Sequence, residues 1–113
     1  MDQETVKYII RYFGHLMTDD ERAALKYHMY MYKSSDNEKM REIMKERGWI
    51  KQTPKTDHLL QNGYEEFEMN TARRILKEIP EKIFFNNCPD CGKLARTPSA
   101  KQCRYCGLNW HQK

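Results

Sequence analysis

Long apolar runs are missing from this chain. Nothing in its 113 residues approaches the roughly 18 apolar residues needed to cross a membrane. Its first stretch, MDQETVKYIIRYFG, lacks a basic start followed by unbroken apolar sequence, so a secretory leader is not expected. Catalytic signatures are missing too: there is no phosphate-binding glycine loop, no Gly-x-Ser-x-Gly elbow and no dinucleotide fingerprint. His15, His28, His58 and His111 form no His-x3-His or Glu-x2-His pair, which removes support for a metal site on a helix. Asp19, Asp20 and Glu21 read as helix-capping acids, not as a carboxylate pair. The expectation is a cytoplasmic, non-enzymatic protein with no membrane contact and no small-molecule substrate.

What is present is modest in apolar content and unevenly charged. Hydrophobic residues make up 39% and charged residues 32%, enough for one small core and not a large one. Residues 1–79 carry 14 bases against 14 acids. Residues 80–113 carry six (Lys82, Lys93, Arg96, Lys101, Arg104 and Lys113) against Glu81 and Asp90, so the whole net charge of +4 lies in the tail. A polyanion, if one is bound, would go there.

The front of the chain reads as helices. Val6, Ile9, Ile10, Phe13 and Met17 keep the spacing of one helix face over 4–17, with Gly14 weakening the last turn. In TDDE, Thr18 is an N-cap with Glu21 closing a capping box, starting a helix that runs to about Lys33. SDNE repeats the device with Ser35 as cap and Glu38 closing it, and Gly48 ends that helix. QTPKTD reads as a turn, after which Thr56 caps a further segment near Asp57. Asn62-Gly63 either interrupts that segment or begins a fresh helix, and Pro80 closes the series. The fold class expected is therefore mainly α: a small helical bundle over 1–80, followed by a separate module over 81–113. Within that module KLART and SAKQC, on either side of Pro98, are candidates for the two strands of a short β-hairpin.

All four cysteines sit in CPDCGKLARTPSAKQCRYCGLNW, as two Cys-x2-Cys pairs eleven residues apart. Two residues between thiols let one turn aim both sulfurs at one ion. Gly92 and Gly107, directly after each pair, let the chain turn with amides toward sulfur. Cys88, Cys91, Cys103 and Cys106 thus make a four-thiolate metal site, with one structural Zn²⁺ the expected occupant. With four thiols available the cage is closed, which argues against catalysis at the metal and leaves His111 no vacancy. A redox Cys-x2-Cys comes alone, at a helix start within a βαβ pattern absent here. About thirty residues cannot bury enough apolar surface to fold unaided, so metal binding supplies the folding free energy of this tail.

The motifs CPDCG and CRYCG resemble the two knuckles of zinc-ribbon, or rubredoxin-like, modules over roughly residues 83–110. The likeness implies a metal-binding architecture and no particular activity. The eleven-residue interval is much shorter than the inter-knuckle span of rubredoxins, which argues against an iron electron carrier. The whole chain also resembles small uncharacterised bacterial proteins with a helical front and a terminal zinc ribbon.

Two readings of function stay open. Lys93, Arg96, Lys101 and Arg104 lie on or beside the second module with Tyr105 and Trp110 nearby, a set suited to phosphate contacts and base stacking on RNA or DNA. On that reading the ribbon docks on nucleic acid or on a nucleoprotein machine of transcription or translation, by analogy with the company such modules keep. The conservative alternative has these cations offsetting the −2 charge of a tetrathiolate zinc centre and Trp110 covering the metal. The competing function is a protein–protein adaptor that uses the Met/Tyr surface of YHMYMYK on the helix over 19–33.

Overall fold

The computed structural model describes residues 1–110, so His111 lies outside the described residues. Helix α1 spans Gln3–Tyr12, α2 Asp19–Lys33, α3 Glu38–Glu46, α4 Pro54–Leu60 and α5 Tyr64–Glu78, with short 3₁₀ turns at Gly14–Leu16 and Pro80–Lys82. The chain is mainly helical, and no helix among the described residues is long and apolar enough to cross a membrane. α1 packs on α5 and α2 on α4. Between them Val6, Ile9, Ala24, Ala72 and Ile75 are fully buried, with Phe67 almost so. Apart from Ala24, which comes from α2, these are the apolar positions that the helical spacing of α1 and α5 places on one face of each.

Helix ends follow local chemistry. Thr18 accepts from the Glu21 amide at 3.1 Å while Glu21 accepts from the Thr18 amide at 2.8 Å, the reciprocal capping box expected. At Gly48, φ is +75°. The Trp49 amide donates to the Met44 carbonyl at 2.8 Å and the Gly48 amide to Lys45 at 3.1 Å, which ends α3 in a Schellman motif. Gly63 (φ +95°) breaks the chain between α4 and α5. In the segment Tyr27–Lys33, Met29 and Tyr32 are exposed while Tyr27, Tyr30 and Met31 are half-buried, as helical spacing requires.

Four expectations need correction. The helix over 4–17 stops at Tyr12, and the stretch from Gly14 tightens to a 3₁₀ turn whose Met17 amide bonds the Gly14 carbonyl at 3.1 Å. Ser35 does not cap α3. Ser34 to Asn37 form a turn behind α2, with the Asn37 amide on the Ser34 carbonyl at 3.1 Å, and Asn37 becomes the cap by accepting from the Met40 amide at 3.0 Å. QTPKTD is not a plain turn: α4 starts at Pro54, with Thr53 as the cap and Thr56 buried inside the helix. Proline at the first helical position loses no hydrogen bond, because that amide has no partner within a helix anyway. Finally, KLART and SAKQC do not pair as a hairpin. The structure instead holds two isolated antiparallel bridges, Asn87 with Leu94 and Gln102 with Asn109, each closing its own cysteine turn.

The reason for the last difference is a fifteen-residue repeat. Cys88 donates its amide to Lys93 and Cys103 donates to Leu108; Ala95 donates to Asn86 and Trp110 donates to Lys101. Each partner in the second set stands fifteen positions after its counterpart in the first. Every knuckle thus satisfies its own backbone. Between them, the buried Asn86 side chain donates to the carbonyls of Thr97 (2.9 Å) and Ala100 (2.8 Å), occupying acceptors that a cross-knuckle ladder would need.

Candidate metal centre and basic cleft

Each knuckle folds around its first cysteine. The Cys88 sulfur accepts from the amides of Asp90 (3.4 Å) and Cys91 (3.5 Å), and the Cys103 sulfur from Tyr105 (3.3 Å) and Cys106 (3.4 Å). Gly92 (φ +77°) and Gly107 (φ +78°) supply the left-handed turn that makes this possible, and a side chain there would be strained. The two turns face each other so that all four Sγ atoms lie within 4.8 Å of one another. Cys88 and Cys106 are 3.6 Å apart and Cys91 and Cys103 3.5 Å. A tetrahedron with metal–sulfur bonds of about 2.3 Å has edges of about 3.8 Å, so these two edges stand within a few tenths of an ångström of a four-coordinate cage. Four cysteines with this spacing could hold one tetrahedral metal ion.

Electrostatics divides the four. Amide donation from Cys106 draws the Cys103 thiol down to about 6, against the opposing effect of burial. At Cys88 burial pushes up, but the amides of Cys91 and Asp90 outweigh it and hold the thiol low. Cys106 goes the other way, to about 12: the Leu108 amide favours its thiolate, but burial and the neighbouring sulfurs win. Four thiolates cannot share so small a volume without a cation, because like charges at these distances repel strongly. The donor set therefore suits a metal ion that offsets their charge.

The knuckles sit unequally on the helices. In the first, Leu94 packs against the helical core together with Ile83 and Phe85, and Ala95 is buried. Tyr8 of α1 locks this contact: its hydroxyl donates to the Phe84 carbonyl at 2.7 Å and accepts from the Asn86 amide at 3.3 Å. The second knuckle is outermost, with Lys101, Tyr105 and Leu108 exposed and Trp110 half-buried. Replacing Asn86 by Ala should cost about 1–3 kcal/mol, by leaving the Thr97 and Ala100 carbonyls without the donor they share, and denaturant melts of the metal-loaded protein measure this.

The sequence-derived cations and aromatics do not form one surface. Lys93 lies 4.5 Å and Arg104 4.9 Å from the Tyr105 ring centroid. The Tyr105 hydroxyl donates to both oxygens of Glu4 (2.8 and 2.7 Å), and Arg104 reaches Glu4 at 3.1 Å. The carboxylate raises the Tyr105 hydroxyl above its ordinary value, since the bond requires its proton. Lys101 is exposed and Trp110 is fixed by its amide on the Lys101 carbonyl at 2.7 Å. Arg96 and Arg104 share a cleft of about 520 Å³ between α1 and the first knuckle. Lys7, Arg11, Arg96 and Arg104 line it, with Glu4 the single acid. Lys7 pairs with Glu68 and Arg104 with Glu4, while Arg11 and Arg96 make no ion pair among the described residues.

Lys7, Arg11 and Glu4 escaped the reading of the sequence. Lys7 and Arg11 stand four apart on α1, a detectable pair on one helix flank. Nothing in the sequence, however, tied that flank to a knuckle some ninety residues on. No protein-family model, no curated protein and no solved structure matches the chain.

Proposed function

We propose that this chain is a zinc-stabilised, non-enzymatic accessory protein that docks on nucleic acid, free or within a nucleoprotein machine. The observation that carries this reading is the pair Arg11 and Arg96, two guanidinium groups that make no ion pair among the described residues and face one open cleft. Guanidinium forks suit phosphate oxygens, and successive phosphates on a strand would meet cations from both α1 and the knuckle. Lys93 of the first knuckle and Lys101 and Trp110 of the outer one add further contacts. Zinc fits the donor set and would be held by Cys88, Cys91, Cys103 and Cys106; its part is to fold the ribbon that supports Arg96 and Arg104. Four thiolates complete its tetrahedron, so no catalytic step is assigned to it.

Salt titration of binding to single-stranded RNA, single-stranded DNA and duplex DNA tests the reading. Affinity should fall linearly on a log–log plot, with a slope of about −0.7 per phosphate contact for single strands. Arg96→Ala and Arg11→Ala should each flatten that slope by close to one contact and weaken binding to single strands by about fivefold at about 0.1 M salt. Lys101→Ala should give a smaller loss, as befits a contact outside the cleft. Absence of binding to all three at low salt, with zinc bound and the fold intact, rejects the proposal.

A further inference from the structure

Helix α3 leaves an apolar row uncovered. Met40, Ile43, Met44 and Arg47 follow helical spacing on one face. Met44 is buried against the body, but Met40, Ile43 and Trp49 keep 41%, 40% and 45% of their surface exposed. These three side chains line a single groove of about 400 Å³ with Met44 at its floor. Three large apolar groups sharing one concavity differ from the scattered exposed residues of an ordinary surface.

The groove is also held open. The Schellman turn fixes the backbone of Trp49, through its amide on the Met44 carbonyl. Tyr30 stacks beside the indole at 5.9 Å between centroids, and the Arg47 guanidinium lies 5.5 Å from the ring. An indole held in this way presents area to a partner without first losing much side-chain freedom.

Charge identifies what would fill it. Glu38, Glu42 and Glu46 recur every fourth residue, which turns them toward a different face of α3. Lys39 and Arg47 are left as the only charged groups lining the groove, and neither makes an ion pair among the described residues. A second copy of the chain meeting this face symmetrically would bring Lys39 and Arg47 against their own counterparts, which is repulsive. Carboxylates flanking an apolar row would be complementary instead.

We propose that the α3–Trp49 groove docks an amphipathic helical segment of a partner protein that carries apolar anchors on one face and acidic residues along its flanks. The apolar anchors seat on Met40, Ile43 and Trp49, and the flanking carboxylates meet Lys39 and Arg47. This site is separate from the basic cleft, so the chain has one surface for phosphates and another for an acidic peptide.

The test uses the full zinc-loaded chain and two labelled synthetic peptides of about 14 residues, roughly four helical turns. Both carry leucines at i, i+3, i+4 and i+7; one is flanked by glutamates and the other by lysines. Fluorescence anisotropy should show the glutamate peptide binding at least about tenfold tighter than the lysine peptide. Ile43→Ser should weaken it by about tenfold while helical circular dichroism stays unchanged, since Ile43 is already partly exposed. The double reversal Lys39→Glu with Arg47→Glu should invert the preference to the lysine peptide, an outcome that a merely structural role would not produce. Equal binding of both peptides, binding of neither, or a preference that survives the reversal overturns the proposal. So does concentration-dependent self-association abolished by Ile43→Ser, which would assign the groove to a second copy, or nucleic-acid binding lost on the same substitution.

Discussion

Cys103→Ser is expected to strip the chain of its metal. Zinc measured against protein should fall from near one per chain to a small residue, with affinity lower by more than about a hundredfold. Supporting partners of a metal ligand are worth 10–100-fold, and a direct thiolate ligand is worth more. Cys103 is the most telling position because its sulfur is buried and accepts two amides that a smaller, harder oxygen cannot meet at the same distances. The structural consequence should be confined to the ribbon. Metal binding contributes on the order of 10–16 kcal/mol to folding in finger-sized peptides, more than such a module can gain from burial. The signals of residues 86–110 should therefore collapse in a heteronuclear NMR spectrum. The helical core around Val6, Ile9, Phe67 and Ile75 should keep most of its circular dichroism. Lys93→Ala serves as the control and should retain metal. Equal zinc in Cys103→Ser and the parent would remove the cysteine assignment altogether.

The second large effect is expected in the helical body. Arg74→Ala should lower stability by about 2–4 kcal/mol, a large part of a small domain's total. Arg74 donates from Nε and Nη2 to the two oxygens of Glu21 at 2.7 Å each, and Nη2 also reaches the Leu16 carbonyl at 3.2 Å. The third nitrogen of the same guanidinium, Nη1, bonds Glu78. Glu21 is only 5% exposed, so deleting its partner leaves a buried carboxylate with the Thr18 amide as its remaining donor. The upper part of the usual 3–5 kcal/mol range for a broken buried pair is discounted because the Arg74 side chain is 27% exposed and water can reach the vacated space. Thermal melts should show a fall of roughly 10–15 °C at this chain length. Adding Glu21→Gln to Arg74→Ala should recover part of the loss, since the buried charge is then gone. A fall corresponding to less than about 1 kcal/mol would mean that Glu21 is well hydrated without Arg74.

Glu21 also shows what kind of information a sequence carries. Its place three residues after Thr18 announced a capping box, and the structure contains that box. Its other bond, to a residue 53 positions on, could not be read from any spacing, because it exists only once α5 has landed beside α2. The same division runs through the helix ends. Gly48 and Gly63 marked breaks because only a residue without a side chain takes a positive φ cheaply. The choice of Asn37 over Ser35 as the cap of α3 depended on the turn that leaves α2. Both residues have the chemistry, and the path of the chain selects between them.

For the metal centre, the sequence by itself determined nearly everything local. Two Cys-x2-Cys turns, each followed by glycine, prescribe amides on sulfur and thiols pointing one way, since those bonds close within four or five residues. The sequence did not determine how the turns are joined. A hairpin between KLART and SAKQC and two self-closed knuckles have similar local propensities. Asn86, reaching across to Thr97 and Ala100, selects the second.

Only the tertiary structure decided the surfaces. Summing the charges located the net excess in the tail, but the two cleft cations that make no ion pair among the described residues are Arg96 from the tail and Arg11 from the front segment, residues 1–79, whose charges cancel. Tyr105 and Arg104, read as contacts for a ligand, both reach Glu4 of α1, a partner that no spacing announced. Periodicity and turn chemistry act over a few residues and are written in order along the chain. A surface is made by whichever side chains come to lie together, and that is fixed by packing, here by Tyr8 and Leu94 seating the ribbon on α1.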